Sequence, residues 1–199
     1  MQPAYYENFD EIIKKIWLML DDAVTNRSSQ FRIPVFICGT QNDFDGRIVV
    51  LRKSDQNNHL IQFHSDIRSD KIEKLKSNNS ASLVFYDKEE KIQVRAKVEC
   101  IINHKNEITK QSWSKTAHIS RKCYLVDIGP GTESDEPTSG LKPEKDNFDY
   151  TMEESEKGYE NFTVIQCKIK SFEWQYLAAK GHRRARFDLE NDKRIWLVP

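Results

Sequence analysis

Residues 45–52 read Asp45-Gly46-Arg47-Ile48-Val49-Val50-Leu51-Arg52, and residues 64–71 read His64-Ser65-Asp66-Ile67-Arg68-Ser69-Asp70-Lys71. An Asp-Gly pair is typical of a tight turn that opens a strand, and here a β-branched run with an arginine at each end follows it. The second stretch leaves another strand through a loop that carries arginine, serine and lysine. These two stretches predict a β scaffold that brings basic residues together, an arrangement suited to a phosphate.

The candidate phosphate ligands are three cations and one hydroxyl: Arg47, Arg68, Ser69 and Lys71. Arginine suits a phosphate because its planar fork gives paired, charge-assisted hydrogen bonds, and the amides at the start of a following helix add donors. Solvated charges beside strand ends are the alternative interpretation of the same residues. Arg47 and Arg52 are five positions apart, so they face opposite sides of a regular strand and share one ligand only if that strand bends.

The hydrophobic pattern predicts a mainly β chain with peripheral helices, a barrel rather than a doubly wound sheet. An amphipathic helix runs from Phe9 to Val24 with Asn8 as its N-cap. The remaining predicted elements are strands at Phe31–Thr40, Arg47–Lys53 and His59–His64, a helix capped by Ser69 and ending near Ser77, strands at Ala81–Asp87 and Ile92–Ile102, a helix at Lys105–Ser114, a long strand at Thr163–Leu177, and a hairpin of Arg183–Glu190 and Arg194–Pro199.

The long strand changes the parity of its apolar positions near Lys170-Ser171, which predicts a β-bulge there, because a slip of one residue flips every later side chain. Residues 128–158 are rich in Gly, Pro, Ser, Thr, Glu and Lys, and they predict a long surface excursion. Residues 1–199 are otherwise expected to form one domain.

Composition narrows the function classes. The 31 basic residues balance 31 acidic ones, so the sequence predicts neither a nucleic-acid partner nor a membrane partner, but a small molecule or a second copy of the chain. The N-terminus lacks a basic, apolar leader, which favours a cytoplasmic location. The four cysteines lack Cys-x-x-Cys spacing, so we expect free thiols and no metal site.

The ordered set of motifs resembles a known family. The run Asp45 to Arg52, an aromatic-terminated strand, the Asp-x-Arg-Ser-x-Lys of residues 66–71, then Gln93-Val94-Arg95, is similar to the pyridoxamine 5′-phosphate oxidase-like flavoproteins, a resemblance that extends to the C-terminal pattern with Trp174 and Arg186-Phe187. The resemblance implies a split β-barrel that binds FMN, and a homodimer with FMN sites at the subunit interface.

The resemblance also assigns cofactor-binding residues. It implies that Arg47, Ser69 and Lys71, with Arg68 beside them, bind the FMN phosphate, and that Arg52 stands near flavin and substrate. The other implied cofactor contacts are Ile48, Val49, Val50, Leu51, Phe63, His64 and Gln93, with Trp174 and Arg186 reaching the flavin of the neighbouring subunit. From the residues alone, Trp174 reads as core, and Arg186 and Gln93 read as surface positions. His64, a lone histidine at a strand end, reads either as a surface residue or as a donor to a phosphate or flavin oxygen.

The substrate half of the family pattern is mostly lost. Where pyridoxamine 5′-phosphate oxidases carry a tyrosine, an arginine and a serine for the substrate phosphate, this chain has Ser112, Thr116 and Ser120. His182-Arg183-Arg184 replaces an Arg-x-His pattern. The candidate substrate-binding residues are Arg52, Ser120, His182 and Arg184, and no residue stands out as a catalytic acid or base. Gly129-Pro130-Gly131 is similar to a divergent branch of the family.

The sequence therefore predicts an FMN-binding flavoprotein and an oxidoreductase that acts on a small organic substrate. Two alternatives stay open. The first is a genuine pyridoxamine or pyridoxine 5′-phosphate oxidase, and the second is a flavin-binding or sensing protein without turnover.

Overall fold

The computed structural model describes residues 4–141 and 150–199, and these form one antiparallel sheet with helices packed around it. Its strands are β1 (Val35–Thr40), β2 (Asp43–Ile48), β3 (Leu51–Asp55), β4 (Leu60–Asp66), β5 (Ser80–Asp87), β6 (Ile92–His104), β7 (Phe162–Tyr176), β8 (Arg183–Asp188) and β9 (Lys193–Leu197). Its helices are α1 (Phe9–Thr25), α2 (Asp70–Ser77), α3 (Glu107–Lys115), α4 (His118–Arg121) and α5 (Met152–Glu156). The predicted mainly β fold is confirmed.

β7 belongs to both halves of the sheet. One edge of β7 pairs with β6 from Thr163 to Tyr176, while its other edge pairs with β4 up to Lys168 and with β8 from Ser171 onward. The strand order is β2-β1-β5-β6-β7-β4-β3, with β8 on β7 and β9 on β8. Within the described residues β2 and β3 each pair on one side, so the barrel is split and not closed.

The predicted bulge lies where the parity changes. Val98 pairs with Ile169 and Lys97 pairs with Ser171, which leaves Lys170 as the extra residue on β7. The bulge allows Ile169 and Phe172 both to point into the core, where they are fully or almost fully buried.

α1 forms because its apolar residues repeat at helical spacing and its first turn is capped. The Asn8 side chain accepts hydrogen bonds from the amides of Asp10 and Glu11, at 2.9 and 3.2 Å. The buried face of α1 consists of Ile12, Ile16, Trp17, Leu20 and Ala23. It packs on the sheet, where the Trp17 ring meets the Phe172 ring edge-on at 5.5 Å.

Two local predictions were wrong at the first hairpin. The turn lies at Gln41-Asn42, whereas Asp45 and Gly46 lie inside β2 and Gly46 does not have a positive φ. Gly39 is the glycine that this hairpin requires, because a Cβ there would lie 2.2 Å from the Asp43 carbonyl oxygen. The strand predicted to begin at Phe31 begins at Val35, since residues 30–32 form a 3-10 turn.

The strand predicted over Arg47–Lys53 is divided in two. β2 ends at Ile48 and β3 begins at Leu51, and the intervening Val49 donates its amide hydrogen to the Pro34 carbonyl at 3.1 Å. The register of β3 against β4 then shifts between Leu51 and Lys53. The chain therefore bends between the two arginines that flank this stretch.

The predicted surface excursion is only partly irregular. Its described residues from 128 to 141 form no helix or strand, whereas α5 and a 3-10 turn over Lys157–Glu160 precede β7; residues 142–149 lie outside the described residues. A small second core anchors this region, with Trp113, Tyr124 and Phe162 in mutual ring contact. No helix among the described residues has the length and hydropathy to cross a bilayer.

Candidate functional site

A cleft of about 670 Å³ opens beside the bend between β2 and β3, and we call it the first cleft. The predicted cofactor-binding residues that line it are Arg47, Ile48, Val49, Val50, Arg52, Phe63, His64, Ser69 and Lys71. The sequence did not predict its other lining residues, Ser65, Asp66, Asp70, Cys123, Tyr124, Pro130 and Gly131. The volume lies in the range of small-molecule and cofactor sites.

One end of the first cleft carries a buried cation among hydroxyls. The Lys71 ammonium donates to the hydroxyls of Ser65 and Ser69, both at 2.9 Å, and those two oxygens are 3.1 Å apart. Burial, followed by the charge of Arg47, lowers the pKa of Lys71. Within the described residues Lys71 has no carboxylate in ion-pair contact, so this pocket is suited to an anionic group that brings the missing charge.

Arg47 reaches the same cleft from β2. Its guanidinium donates to both carboxylate oxygens of Asp70, at 2.8 and 3.1 Å, and also pairs with Asp45. The hydrogen bonds from Arg47 are the main reason that the pKa of Asp70 lies below its ordinary value. The Nε atom of Arg47 is buried and has no hydrogen-bond acceptor. The Arg47 side chain as a whole is 26% exposed and lines the cleft, so a ligand can reach its guanidinium.

Arg68 does not join the predicted cluster. Its guanidinium makes a two-point pair with Asp66, at 3.0 and 2.7 Å, and donates to the carbonyls of Val126 and Asp127, at 3.0 and 3.3 Å. These bonds hold the chain after α4 against the loop before α2. Pro130 and Gly131, just beyond, form part of the wall of the first cleft.

The bend and the register shift bring Arg52 to the cleft on the same side as Arg47. Arg52 is the extra residue between Leu51, which pairs with Phe63, and Lys53, which pairs with Gln62. Burial, followed by the charge of Arg32, lowers the pKa of Arg52. Arg52 makes no hydrogen bond or ion pair to another described residue, and its Nε is buried without an acceptor. Among residues 4–141 and 150–199 it has no counterion, and it lies where two cavities meet.

The second of these cavities, the second cleft, has a volume of about 490 Å³ and lies between α3, β4 and the end of α1. Its described lining includes the four cations Arg27, Arg52, Lys53 and Lys115 and no acidic side chain. Ser112, Thr116 and Ser120 also line it, as do Gln62, Gln111 and Gln166. The second cleft thus brings together two candidate substrate-binding residues, Ser120 and Arg52. The sequence analysis missed Arg27, Lys53 and Lys115, which come from three separate segments.

The remaining predicted residues lie elsewhere in the single chain. Leu51 is a core residue at 1% exposure, and Trp174 is completely buried, with its ring 5.9 Å from that of Tyr6. Gln93 is half-buried on β6, opposite Gln175. Arg186 is exposed on β8 and pairs with Glu173 at 3.2 Å. Core and surface positions for Trp174 and Arg186 are what the residues alone suggested.

The C-terminal substrate candidates also lie outside both clefts. His182 and Arg184 line a separate cavity with Arg183 and the C-terminal residues. Nδ1 of His182 accepts the Ala178 amide at 3.1 Å, and Arg184 donates two hydrogen bonds to Glu173, at 2.9 and 2.6 Å. Within one chain these two side chains are therefore already hydrogen-bonded, His182 to Ala178 and Arg184 to Glu173.

The geometry fits a cofactor with one terminal phosphate. Lys71, Ser69 and Arg47 line one end of the first cleft, and the bent backbone from Ile48 to Val50 borders the rest. No group of three or more His, Cys, Asp or Glu side chains within residues 4–141 and 150–199 is placed to hold a metal ion.

Residues 16–104 match the FMN-binding domain of the pyridoxamine 5′-phosphate oxidases. The resemblance predicted from the sequence is therefore confirmed, and the matched part of the chain is an FMN-binding domain. The matched part runs from α1 to the end of β6 and contains every predicted residue of the first cleft.

Solved structures share the fold. A pyridoxamine 5′-phosphate oxidase-related, FMN-binding protein from Nostoc punctiforme aligns with a TM-score of 0.68 at 11% identity, over 100% of both chains. PhzG from Burkholderia lata, in complex with tetrahydrophenazine-1-carboxylic acid, aligns with a TM-score of 0.68 at 16% identity, over 100% of this chain and 98% of that one.

A protein from Clostridium acetobutylicum related to general stress protein 26 aligns with a TM-score of 0.56 at 12% identity, over 90% of this chain and 99% of that one. No curated protein sequence matches the chain. The structural likenesses confirm the predicted split-barrel fold.

Proposed function

We propose that this chain is an FMN-dependent oxidoreductase that acts on a small, anionic organic substrate. The observation that carries the proposal is Arg52, a cation that no described side chain neutralises, at the junction of the first and second clefts. On one side of Arg52 lie Lys71, Ser69 and Arg47, the candidate phosphate-binding residues, which we call the phosphate cluster. On the other side lies the second cleft, whose described charged residues are all basic. The pair of clefts suits a cofactor and a charged substrate lying side by side.

In this proposal the FMN phosphate lies against Lys71, Ser69 and Arg47. Lys71 supplies a buried positive charge, Ser69 supplies a hydroxyl, and Arg47 supplies the planar fork. A phosphate that pairs with Lys71 removes the cost of burying that charge alone, so burial here favours an anionic ligand. The isoalloxazine ring would extend along Ile48, Val49 and Val50 toward Phe63.

The substrate would occupy the second cleft, with its negative charge toward Arg52, Arg27 and Lys115. Arg27 and Lys115 form no ion pair with a described residue, and Lys53 pairs only with Asp55, at 3.4 Å. Uncompensated cations around one cavity attract anions and reject cations. Bound FMN supplies hydride or single-electron transfer, and the protein's part is to orient cofactor and substrate and to exclude water.

We further propose a cytoplasmic homodimer with FMN sites at the subunit interface. The exposed apolar residues Val35, Phe44, Ile48 and Tyr86 cluster on adjoining strands β1, β2 and β5. A patch of this kind marks an interaction surface. Arg186 and Gln93 lie on the strands that continue this face, which supports a role for them toward the partner's flavin. The free thiols Cys38, Cys100, Cys123 and Cys167 suit a reducing compartment.

The experiment is a two-step measurement on the purified protein. Flavin absorbance, together with titrations of FMN and riboflavin, tests the cofactor site, and we expect clear preference for FMN. Anaerobic mixing of the FMN-loaded protein with small carboxylates and phosphate esters, each paired with its uncharged analogue, then tests the substrate class. Flavin bleaching with anionic but not neutral compounds is expected. Bleaching by neither would leave a flavin-binding protein without turnover, and bleaching by neutral analogues alone would contradict the proposed substrate class.

A further inference from the structure

Among the described residues, His64 and Arg52 are the two side chains that line both clefts. His64 lies near the end of β4, and its ring meets Phe162 edge-on at 4.7 Å. Neither ring nitrogen of His64 is hydrogen-bonded to another described residue. A proton acceptor and a proton donor are therefore both available at the boundary between the clefts.

The surroundings of His64 keep its ring neutral in the absence of a ligand. Burial, followed by the charge of Arg52, lowers the pKa of His64 to about 3. The other charged or titratable groups that line the two clefts are Arg47, Asp66, Asp70, Lys71, Cys123 and Tyr124 in the first, and Arg27, Lys53 and Lys115 in the second. The described charged side chains that line the second cleft beside His64 are thus all positive.

An anion bound in the second cleft opposes the second of these two causes, the charge of Arg52, while the effect of burial remains. Paired with Arg52, it cancels the field that opposes protonation of His64 and adds an attraction for the protonated ring. The pKa of His64 then rises, because an opposite charge within about 4–6 Å favours the charged form of a group. The same anion supplies the counterion that Arg52 lacks.

We propose that His64 is a proton acceptor switched on by the substrate's own negative charge: pairing of that charge with Arg52 enables the neighbouring imidazole to hold the proton that an O–H or N–H group of the substrate gives up. The inference rests on the proposed function and specifies its substrate class. The substrate carries an anionic group and, within reach of it, an alcohol or amine that loses a proton as it is oxidised.

The test uses FMN-loaded protein labelled with ¹⁵N-histidine and follows each imidazole by NMR from about pH 3.5 to pH 8. Sulfate is the probe, because its charge is constant over this range and FMN already fills the phosphate cluster. Sodium chloride at equal ionic strength is the control for screening. The variant His64→Gln assigns the signal, and His59, His104, His118 and His182 serve as internal references.

We expect sulfate to raise the pKa of His64 by about one to three units and to leave the other four histidines nearly unchanged. Arg52→Lys should retain the response to sulfate, whereas Arg52→Gln should abolish it. An unresponsive His64, or an equal response of all five histidines, would overturn the inference in FMN-loaded protein. Failure of the protein to bind FMN would instead contradict the proposed function, so the two failures are distinct.

A kinetic measurement separates proton transfer from a structural role. Once a substrate of the proposed class is found, His64→Gln should slow flavin reduction by about a hundredfold or more, because a general base typically contributes at least that much to the rate. It should leave substrate affinity within about threefold and should remove the pH dependence of the reduction step. An unchanged pH profile in His64→Gln would contradict the assigned role even if the rate falls.

Discussion

Asp70 holds the guanidinium of Arg47 through two parallel hydrogen bonds of 2.8 and 3.1 Å at the edge of the first cleft. Asp70 is the first residue of α2, directly after Ser69 and directly before Lys71. A carboxylate therefore occupies part of the fork that the FMN phosphate is expected to use, and it contributes negative charge beside that phosphate.

Asp70→Asn is expected to tighten FMN binding by about twofold to fivefold, because a partly exposed carboxylate that competes for the arginine contributes up to about 1 kcal/mol. Titration calorimetry measures the change. Asp43→Asn is the matched control, since Asp43 pairs with Lys74 at 2.9 Å and does not line the cleft. Weaker FMN binding in Asp70→Asn would mean that Asp70 positions Arg47 for the phosphate.

The same pair predicts how stability depends on pH. The pKa of Asp70 is lower in the folded chain, chiefly through the hydrogen bonds from Arg47, so its contribution is present above the unfolded pKa and is lost as pH falls through the folded value. Without ligand, the wild-type Tm should exceed that of Asp70→Asn at neutral pH, and the gap should close below about pH 4. A gap that persists at lower pH would argue against the pair as its source.

Lys71→Ala is expected to weaken FMN binding by about 1.5–3 kcal/mol, the range for a hydrogen bond to a charged group, with little effect on riboflavin. Fluorescence quenching of each flavin on titration with protein measures both constants. Lys76→Ala is the control on the same helix, because Lys76 is exposed and pairs with Glu73 at 2.7 Å. Equal losses for FMN and riboflavin would show that Lys71 does not bind the phosphate.

Turnover of pyridoxamine or pyridoxine 5′-phosphate is expected to be negligible in FMN-loaded protein. Ser112 and Thr116 line the second cleft where the family carries tyrosine and arginine, and two such contacts are worth roughly 1–3 kcal/mol each. Hydrogen peroxide formation is the assay. The double variant Ser112→Tyr, Thr116→Arg should gain measurable activity. Wild-type turnover at an ordinary enzymatic rate of about 1 s⁻¹ or more would instead show that Arg27 and Lys115 already replace those contacts.

The proposed dimer predicts a coupled loss of assembly and cofactor. Phe44→Lys places a charge in the exposed apolar patch on β1, β2 and β5, so it should produce a monomer with weakened FMN binding. Val198→Lys is the control, because Val198 is an exposed apolar residue outside the patch. Analytical ultracentrifugation at micromolar concentration distinguishes the species. A wild-type monomer that retains FMN would contradict the interfacial site.

The sequence predicts most elements of this fold, because local patterns encode them. The parity change around Lys170 located the bulge, and helical spacing with Asn8 as cap located α1. The Asp-Gly turn was wrong because the same dipeptide fits inside a strand when its neighbours across the sheet require no positive φ. The close approach that sets the hairpin occurs at Gly39, and it depends on tertiary contact with Asp43.

The site was less predictable where distant segments meet. The bend that turns Arg52 toward the cleft of Arg47 depends on a register shift against β4, which linear spacing does not encode. Arg68 lies in the right motif, but Asp66 and the carbonyls after α4 engage it. The cations of the second cleft come from residues far apart in sequence, so the sequence contains no local charge cluster that would predict this cleft.

Strand β7, which belongs to both halves of the sheet, also determines where this fold can accept insertions. β6 and β7 pair across their length although residues 105–161 separate them. That segment supplies α3, α4, one side of the first cleft and half of the lining of the second cleft. Each doubling of a connecting segment costs only about 0.6 kcal/mol in closure entropy. Insertions and deletions between β6 and β7 are therefore cheap for folding, and substrate choice can evolve there while the strand pair keeps its register.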